Sequence, residues 1–426
     1  MHDEQTRTLD YATPAPPRPW YRRLPLYVQI VIALAVGVGA GMFLPQDWTA
    51  RLDLPARMIL QFLGAIAPPL ILVAVMKALI TANVRGRLAG KMFFLLALNT
   101  IVAILIGLLV ANVLQPGAHG AEPAKTPGQE YHVGGDIVQQ LLSNIPSSLL
   151  APLVTNNVIG VIIIAVTFGL AARRLDAPRK AKIVDGLEIA FDLILIVLHW
   201  IITLVPLAVL CKVAFYVGTQ GYRPFLALGW FIVAVIVALL LQATYYLVRV
   251  RFASWVSPLR LVKGTRDALA IAFSTGSSVV AMPVTYACLR EKVGLREESA
   301  SLGALVGSNF NNDGTALYEA MAALFVAQMI GVKLTLAQQV MVVLTSVVAS
   351  VGAAGIPEAG LVTMTLVFSA VNLPTSYIAL LLPVDWFLDR CRTAINVMGD
   401  MNVSCILDGK TPEAQPHHDP ALAAVA

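Results

Sequence analysis

Long apolar runs alternate with short charged clusters along most of the chain. Six runs reach the about 20 residues needed to cross a bilayer: 24–45, 56–82, 91–114, 152–171, 183–215 and 224–249. The fifth is long enough to be tilted, or broken at Pro206. After residue 255 the pattern changes. Residues 268–273 and 279–289 are apolar but too short to span, and Ser274-Thr275-Gly276-Ser277-Ser278 lies between them. Basic residues flank both ends (Arg266; Arg290 and Lys292). This predicts a re-entrant helical hairpin with a polar tip, since irregular backbone at membrane depth is tolerated only inside protein or along a wet cavity. A span over 299–331 follows, interrupted by Asn311-Asn312-Asp313-Gly314-Thr315, then a second hairpin over 335–373 with its tip at 350–360, then a last span over 376–407. The predicted class is an all-α polytopic membrane protein with eight transmembrane helices and two re-entrant hairpins. The two hairpin-plus-span units enter from opposite sides, an inverted repeat that places a site where broken helices meet.

Composition sharpens this picture. Of 426 residues, 58% are apolar and 13% charged, about half the charge of an ordinary soluble domain. That excludes a soluble enzyme, a nucleic-acid binder and a disulfide scaffold. The net charge of +5 belongs to the loops. Arg22 and Arg23 precede the first span. Arg85, Arg87 and Lys91 follow the second, and Arg173, Arg174, Arg179, Lys180 and Lys182 the fourth. Arg249, Arg251, Arg260, Lys263 and Arg266 follow the sixth, whereas the 115–150 loop carries only Lys125. This alternation predicts cytoplasmic N- and C-termini in a plasma membrane, as in a bacterial inner membrane. Residues 1–23 and 409–426 read as disordered tails. The N-terminal stretch lacks a signal-peptide pattern, so the first span serves as its own insertion signal. Cys211, Cys288, Cys391 and Cys405 read as packing residues.

Within the last span, Asp385, Asp389, Arg392, Thr393, Asn396 and Asp400 fall within an arc of about 100° on a helical wheel. Buried charge in a bilayer is costly, at least about 2.5 kcal/mol per group. The stripe therefore faces protein, ligand or water. It reads either as a self-neutralising Asp–Arg network or as a substrate site. In the second reading Arg392 offers a planar fork for a carboxylate and Asp389 an acceptor for an ammonium. Thr393 and Asn396 add hydrogen bonds, a set suited to an acidic amino acid. In the break of the seventh span, freed carbonyls with Asn311, Asp313 and the Asp400 carboxylate suit a small hard cation; the bland alternative is a glycine kink with local caps. Glu319 reads as a buried proton carrier or as a permanent partner of Arg390 or Arg392. Ser277 and Ser278 place hydroxyls and free backbone groups at a half-helix terminus. Glu358 reads as decoration of the second tip, and His199 and Asp192 as interhelical contacts.

These residues resemble the dicarboxylate/amino acid:cation symporter family, which includes the excitatory amino acid transporters. The resemblance covers about 24–408. It is carried by Asn311-Asn312-Asp313-Gly314-Thr315-Ala316-Leu317-Tyr318-Glu319, by the 352–360 tip, and by Asp385-Trp386-Phe387-Leu388-Asp389-Arg390-Cys391-Arg392-Thr393 with Asn396, Gly399 and Asp400. It implies a homotrimer in the lipid bilayer. A scaffold of spans 1–2 (24–82) and 4–5 (151–215) would surround a moving transport domain of span 3 (91–114) and 224–408, with 115–150 as an extracellular loop. It implies substrate ligands Ser277, Ser278, Thr315, Gly355, Asp389, Arg392, Thr393 and Asn396. One cation site would use Asp400 with carbonyls of Gly307, Asn311 and Asn396. A second would use Asp313, Asn311 and Thr100 with Asn99 nearby, and a third the carbonyls of Asn309 and of Ser350 to Ala353. Glu319 matches the family's proton-carrying glutamate, and Arg390 the arginine of potassium-counter-transporting members. Asn312, Asn309 and Asn99 depart from the family's usual Met, Thr, and Thr or Ser.

The expected function is cation-coupled symport of glutamate or aspartate by alternating access, with Na+ and/or H+ as coupling ions and no cofactor. The alternatives are a C4-dicarboxylate symporter and an anion channel. An intramembrane enzyme is disfavoured because Ser277 has no histidine partner at membrane depth.

Overall fold

A computed structural model describes residues 26–81, 87–119, 146–155, 157–352 and 359–411. These residues are overwhelmingly helical, and no strand occurs among them. The expected tails apart from 409–411, most of the 115–150 loop and the centre of the second hairpin tip (353–358, with Ala353, Gly355 and Glu358) lie outside the described residues.

The first half of the chain forms helices α1 (Leu26–Phe43), α2 (Gln46–Arg51), α3 (Asp53–Thr81), α4 (Arg87–Leu114), α5 (Val158–Ala172), α6 (Ala177–Ile202) and α7 (Val205–Gln220). Helix α1 lies along α7. Gly37 and Gly41, one turn apart, make this approach close: a Cβ on Gly37 would sit 2.8 Å from the Leu210 carbonyl oxygen, and one on Gly41 2.6 Å from Val217 Cβ. Small residues on one helix face are how membrane helices gain backbone proximity. Helix α3 packs on α5, α6 and α7. At its start Asp53 accepts from buried Lys212 of α7 at 2.5 Å and also pairs with Arg57. The fifth span is broken as its length suggested. Helices α6 and α7 meet at a bend of 40°, just ahead of Pro206, because proline removes an N–H and disfavours helix before it. The fourth span is shorter than 152–171. Only 15 residues, Val158–Ala172, form its main helix, because Asn157 stops the chain and caps α5 by accepting from the Gly160 N–H at 3.0 Å.

The second half begins with α8 (Arg223–Ala253). The first hairpin follows as α9 (Pro258–Thr275) and α10 (Ser278–Ala287), the latter continuing as a π turn through Val293. Gly276 makes the turn at φ +64°, a left-handed conformation that glycine adopts without a Cβ penalty. The Ser277 side chain caps α10. The seventh span opens as Glu297–Ala300, widens to a π turn at Ser301–Val306 and tightens to 3₁₀ at Gly307–Asn309. It resumes as α11 (Asp313–Met329). The break is therefore at 310–312, and Asp313, Gly314 and Thr315 form the first turn of α11, not part of the break. Every residue from Asp313 to Ala327 is buried, so α11 is the central post of this half. The second hairpin is α12 (Leu336–Gly352) and α13 (Ala359–Ala370), with Ser350, Ala359 and Gly360 helical and not in the turn. The last span is α14 (Ile378–Asp408), 31 residues long. Helix α4 packs on α11, α8 and both arms of the first hairpin on α14, and the second hairpin on α11. The predicted order of hairpin, broken span, hairpin and span is thus present.

Candidate functional site

The polar stripe of α14 faces inward throughout. Asp385, Asp389, Arg392, Thr393, Asn396 and Asp400 are all buried, and Arg392 is 0% exposed. Arg392 Nη2 donates to Asp389 Oδ1 at 2.7 Å. Its Nη1 lies 3.1 Å from Asp385 Oδ1, within ion-pair range but out of hydrogen-bond alignment. The guanidinium lies 4.0 Å from the centre of the Tyr318 ring on α11, a cation–π contact. Two glycines set the walls. A Cβ on Gly360 would sit 3.1 Å from Arg392 Nη1, and a Cβ on Gly276 3.0 Å from Asp389 Oδ2. Arg392 therefore abuts the second hairpin and Asp389 the tip of the first. Gly314 lets α11 touch α14, because a Cβ there would lie 2.6 Å from the Arg392 carbonyl oxygen.

The remaining substrate candidates occupy the same neighbourhood with local duties. The Thr393 hydroxyl donates to the Asp389 carbonyl at 2.8 Å. Asn396 Oδ1 accepts the Gly314 N–H at 2.8 Å, while its Nδ2 reaches Asn312 Oδ1 at 3.3 Å and Thr315 Oγ1 at 3.5 Å. It braces the break of the seventh span. Ser277 Oγ accepts the Val280 N–H at 3.4 Å, and the buried Ser278 hydroxyl has no partner among the described residues.

The cation candidates form two clusters. In the first, Asp400 Oδ1 and Asn311 Oδ1 are both buried without a donor among the described residues, and a Cβ on Gly307 would lie 2.9 Å from Asp400 Oδ1. Such orphan oxygens suit a small cation as ligands. The expected carbonyl ligands are more engaged. Gly307 O accepts the N–H groups of Phe310 and Asn311, each at 2.7 Å. Asn396 O accepts from Asn311 Nδ2 at 2.9 Å, and Ser350 O from Asn312 Nδ2 at 2.8 Å. Asn309 closes the 3₁₀ turn. In the second cluster, Asp313 Oδ1 accepts the Thr100 hydroxyl at 2.6 Å, and its Oδ2 accepts the Tyr246 hydroxyl. Asn99 Oδ1 accepts from Arg249.

Glu319 lies on α11, fully buried. One oxygen accepts from Thr363 of α13; the other has no donor among the described residues. No direct ion pair joins it to Arg392 or Arg390. Arg390 folds back on its own helix, donating to the Trp386 carbonyl at 2.6 Å.

Four residues take a part at the site that their sequence pattern does not assign: Tyr246, Arg249, Tyr318 and Thr363. Tyr246 was legible in principle, because Phe231, Val235, Ala238, Gln242 and Tyr246 are buried at helical spacing along α8. The charge pattern places Arg249 in a loop after the sixth span. It lies inside α8, one turn beyond Tyr246, because the helix continues to Ala253. Thr363 carries no signal in an apolar arm, since only the fold brings α13 against α11.

Comparison with known proteins gives the family. The family model described as the sodium:dicarboxylate symporter family matches residues 26–410. The C4-dicarboxylate transport protein of Sphingopyxis alaskensis is 31% identical over 408 residues, covering 93% of this chain and 91% of the relative. Human excitatory amino acid transporter 2 is 40% identical over 247 residues, 57% of this chain and 43% of that protein. Rabbit (Oryctolagus cuniculus) excitatory amino acid transporter 3 is 27% identical over 437 residues, covering 88% of this chain and 83% of the relative. With nearly every described residue inside the match, and the two hairpins and broken span in place, the chain belongs to the sodium:dicarboxylate symporter family.

Proposed function

We propose that this membrane transporter carries an acidic amino acid, glutamate or aspartate, together with a cation, by alternating access. The observation that carries this reading is Asp389. Its Oδ1 takes Arg392 and its Oδ2 faces the Gly276 turn. Arg392 is set against two carboxylates, Asp385 and Asp389, so the site has an excess negative charge. At an effective dielectric of about 20, two unit charges about 4 Å apart interact by about 4 kcal/mol. An ammonium group beside Asp389 gains that sign of interaction, whereas a substrate with only carboxylates meets it as repulsion. When the side-chain carboxylate takes the Arg392 fork, Asp389 is released to the amino group. Thr393, Thr315, Asn396 and the serines Ser277 and Ser278 supply further hydrogen bonds.

Charge balance then requires coupling cations, Na+ and/or H+. Asp400 with Asn311 is the better supported position, since both oxygens lack a donor. Glu319 is the candidate proton carrier. In this reading α1 to α3 and α5 to α7 are the scaffold of a homotrimer. Helix α4 and everything from α8 onward move as the transport domain, in a plasma membrane with both termini cytoplasmic.

A second reading, symport of a C4-dicarboxylate, is favoured by the Sphingopyxis relative, whose match covers nearly the whole chain. Reconstituted proteoliposomes separate the two. Radiolabelled aspartate accumulates under an imposed sodium or pH gradient, and excess succinate fails to compete. Accumulation of succinate without aspartate supports the second reading, and no accumulation of either under any gradient overturns both.

A further inference from the structure

The two oxygen clusters at the broken span differ in how they are served. At Asp400 and Asn311 one oxygen of each side chain is buried without a donor. At Asp313 both oxygens hold a hydroxyl donor, Thr100 and Tyr246. The adjoining Asn99 Oδ1 holds the Arg249 guanidinium, and the Asn99 carbonyl accepts from Gln242 Nε2 at 3.4 Å. Arg249 is half-buried and lies 5.3 Å from the centre of the Tyr245 ring. It stands one turn beyond Tyr246 and holds Asn99, the neighbour of Thr100, so it adjoins both donors to Asp313. Each Asp313 oxygen keeps a lone pair, so the hydroxyl donors alone leave room for an ion. The guanidinium does not: its positive charge makes a second one beside it unfavourable. It also compensates a carboxylate that would otherwise be buried unpaired.

We propose that the Arg249 guanidinium is a tethered cation for the Asp313 cluster, supplying the positive charge a mobile ion would bring there, so that the free coupling cation is taken at Asp400 and Asn311. The inference rests on the cation-coupled reading above.

The test uses the purified full-length chain in detergent. Its melting temperature is followed as sodium chloride replaces choline chloride at constant ionic strength, at two pH values. Above saturation each bound ion adds the same stabilisation per tenfold rise in cation. The wild type and Arg249→Lys are expected to share one slope, and Arg249→Met, which opens the second cluster, to show a slope about twice as steep. Equal slopes in wild type and Arg249→Met overturn the proposal. Stability supplies an independent arm. Arg249→Met alone is expected to lower the melting temperature, and Arg249→Met with Asp313→Asn to recover most of the loss. If the single variant does not accumulate, the double variant is expected to; additive losses, or failure of both to accumulate, overturn the pairing. A wild type that responds to neither sodium nor pH defeats the cation-coupled reading itself, and the stability arm then still judges the pairing.

Discussion

Arg392 donates to Asp389 at 2.7 Å, less than one helical turn back along α14, so the positive fork and the negative acceptor of the site are held by each other. Asp389→Asn keeps the shape and removes the charge. It is expected to weaken aspartate binding by about tenfold to a hundredfold, the range of one charge-assisted hydrogen bond of about 1.5–3 kcal/mol, and to leave succinate competition unchanged or improved. Isotherms for both ligands check this. An equal loss for the two would remove Asp389 as the amino-group acceptor.

Gly360 offers a gentler perturbation. A Cβ there meets the Arg392 guanidinium at 3.1–3.3 Å, a contact that a side chain can relieve by moving a few tenths of an ångström. Gly360→Ala is expected to raise the Kd for substrate several-fold while shifting the melting temperature little. A large stability loss with unaltered affinity contradicts the placement of the second hairpin against Arg392.

Glu319 has Thr363 on one oxygen and no donor on the other. An ionisable group so enclosed in a membrane protein is a functional candidate. Glu319→Gln is expected to abolish uptake driven by a pH gradient alone and to keep exchange of internal for external substrate. Uptake assays with the two gradients imposed separately give the answer, and pH-driven uptake of wild-type size in the variant rules out the proton-carrier role.

Asp408, one residue beyond the last predicted span, anchors the end of α14. Its Oδ2 accepts the Trp255 indole N–H at 2.7 Å, and its Oδ1 accepts the Arg296 backbone N–H at 2.9 Å and Nε at 3.1 Å. Burial pushes this carboxyl up, but these donors outweigh it and hold it below the usual carboxylate range. A carboxyl depressed in the folded state contributes stability that is present above its unfolded value, about 3.9, and lost as pH falls through the folded value. Asp408→Asn is expected to cost about 1–3 kcal/mol near neutral pH, since three donors lose a buried charged acceptor. The gap from wild type should close as the solution is acidified below pH about 4. Melting curves across pH measure it; a gap independent of pH contradicts the assignment.

The spans and hairpins were legible because bilayer thickness and the cost of buried backbone polarity act on local sequence. A run of about 20 apolar residues has few folded alternatives. Pro206 announced the α6/α7 break for a similarly local reason. Boundaries were less legible. The break at 310–312 was expected through Thr315, because a string of polar residues does not reveal which one resumes the helix. Arg249 reads as a loop residue because charge after an apolar run ordinarily marks its end.

By itself the sequence determined the all-helical membrane class, the order of hairpin and span, and the inward stripe of α14, since helical period alone aligns Asp385, Asp389, Arg392, Asn396 and Asp400. Tertiary structure alone decided the partners. Asp313 meets Thr100 and Tyr246 across 213 and 67 residues of chain. Glu319 meets Thr363, and the guanidinium of Arg392 ends up shared by two carboxylates rather than open. Periodicity specifies which face of a helix is polar. Which neighbouring helix supplies the donor, and which oxygen is left without one, follows only from how the helices pack.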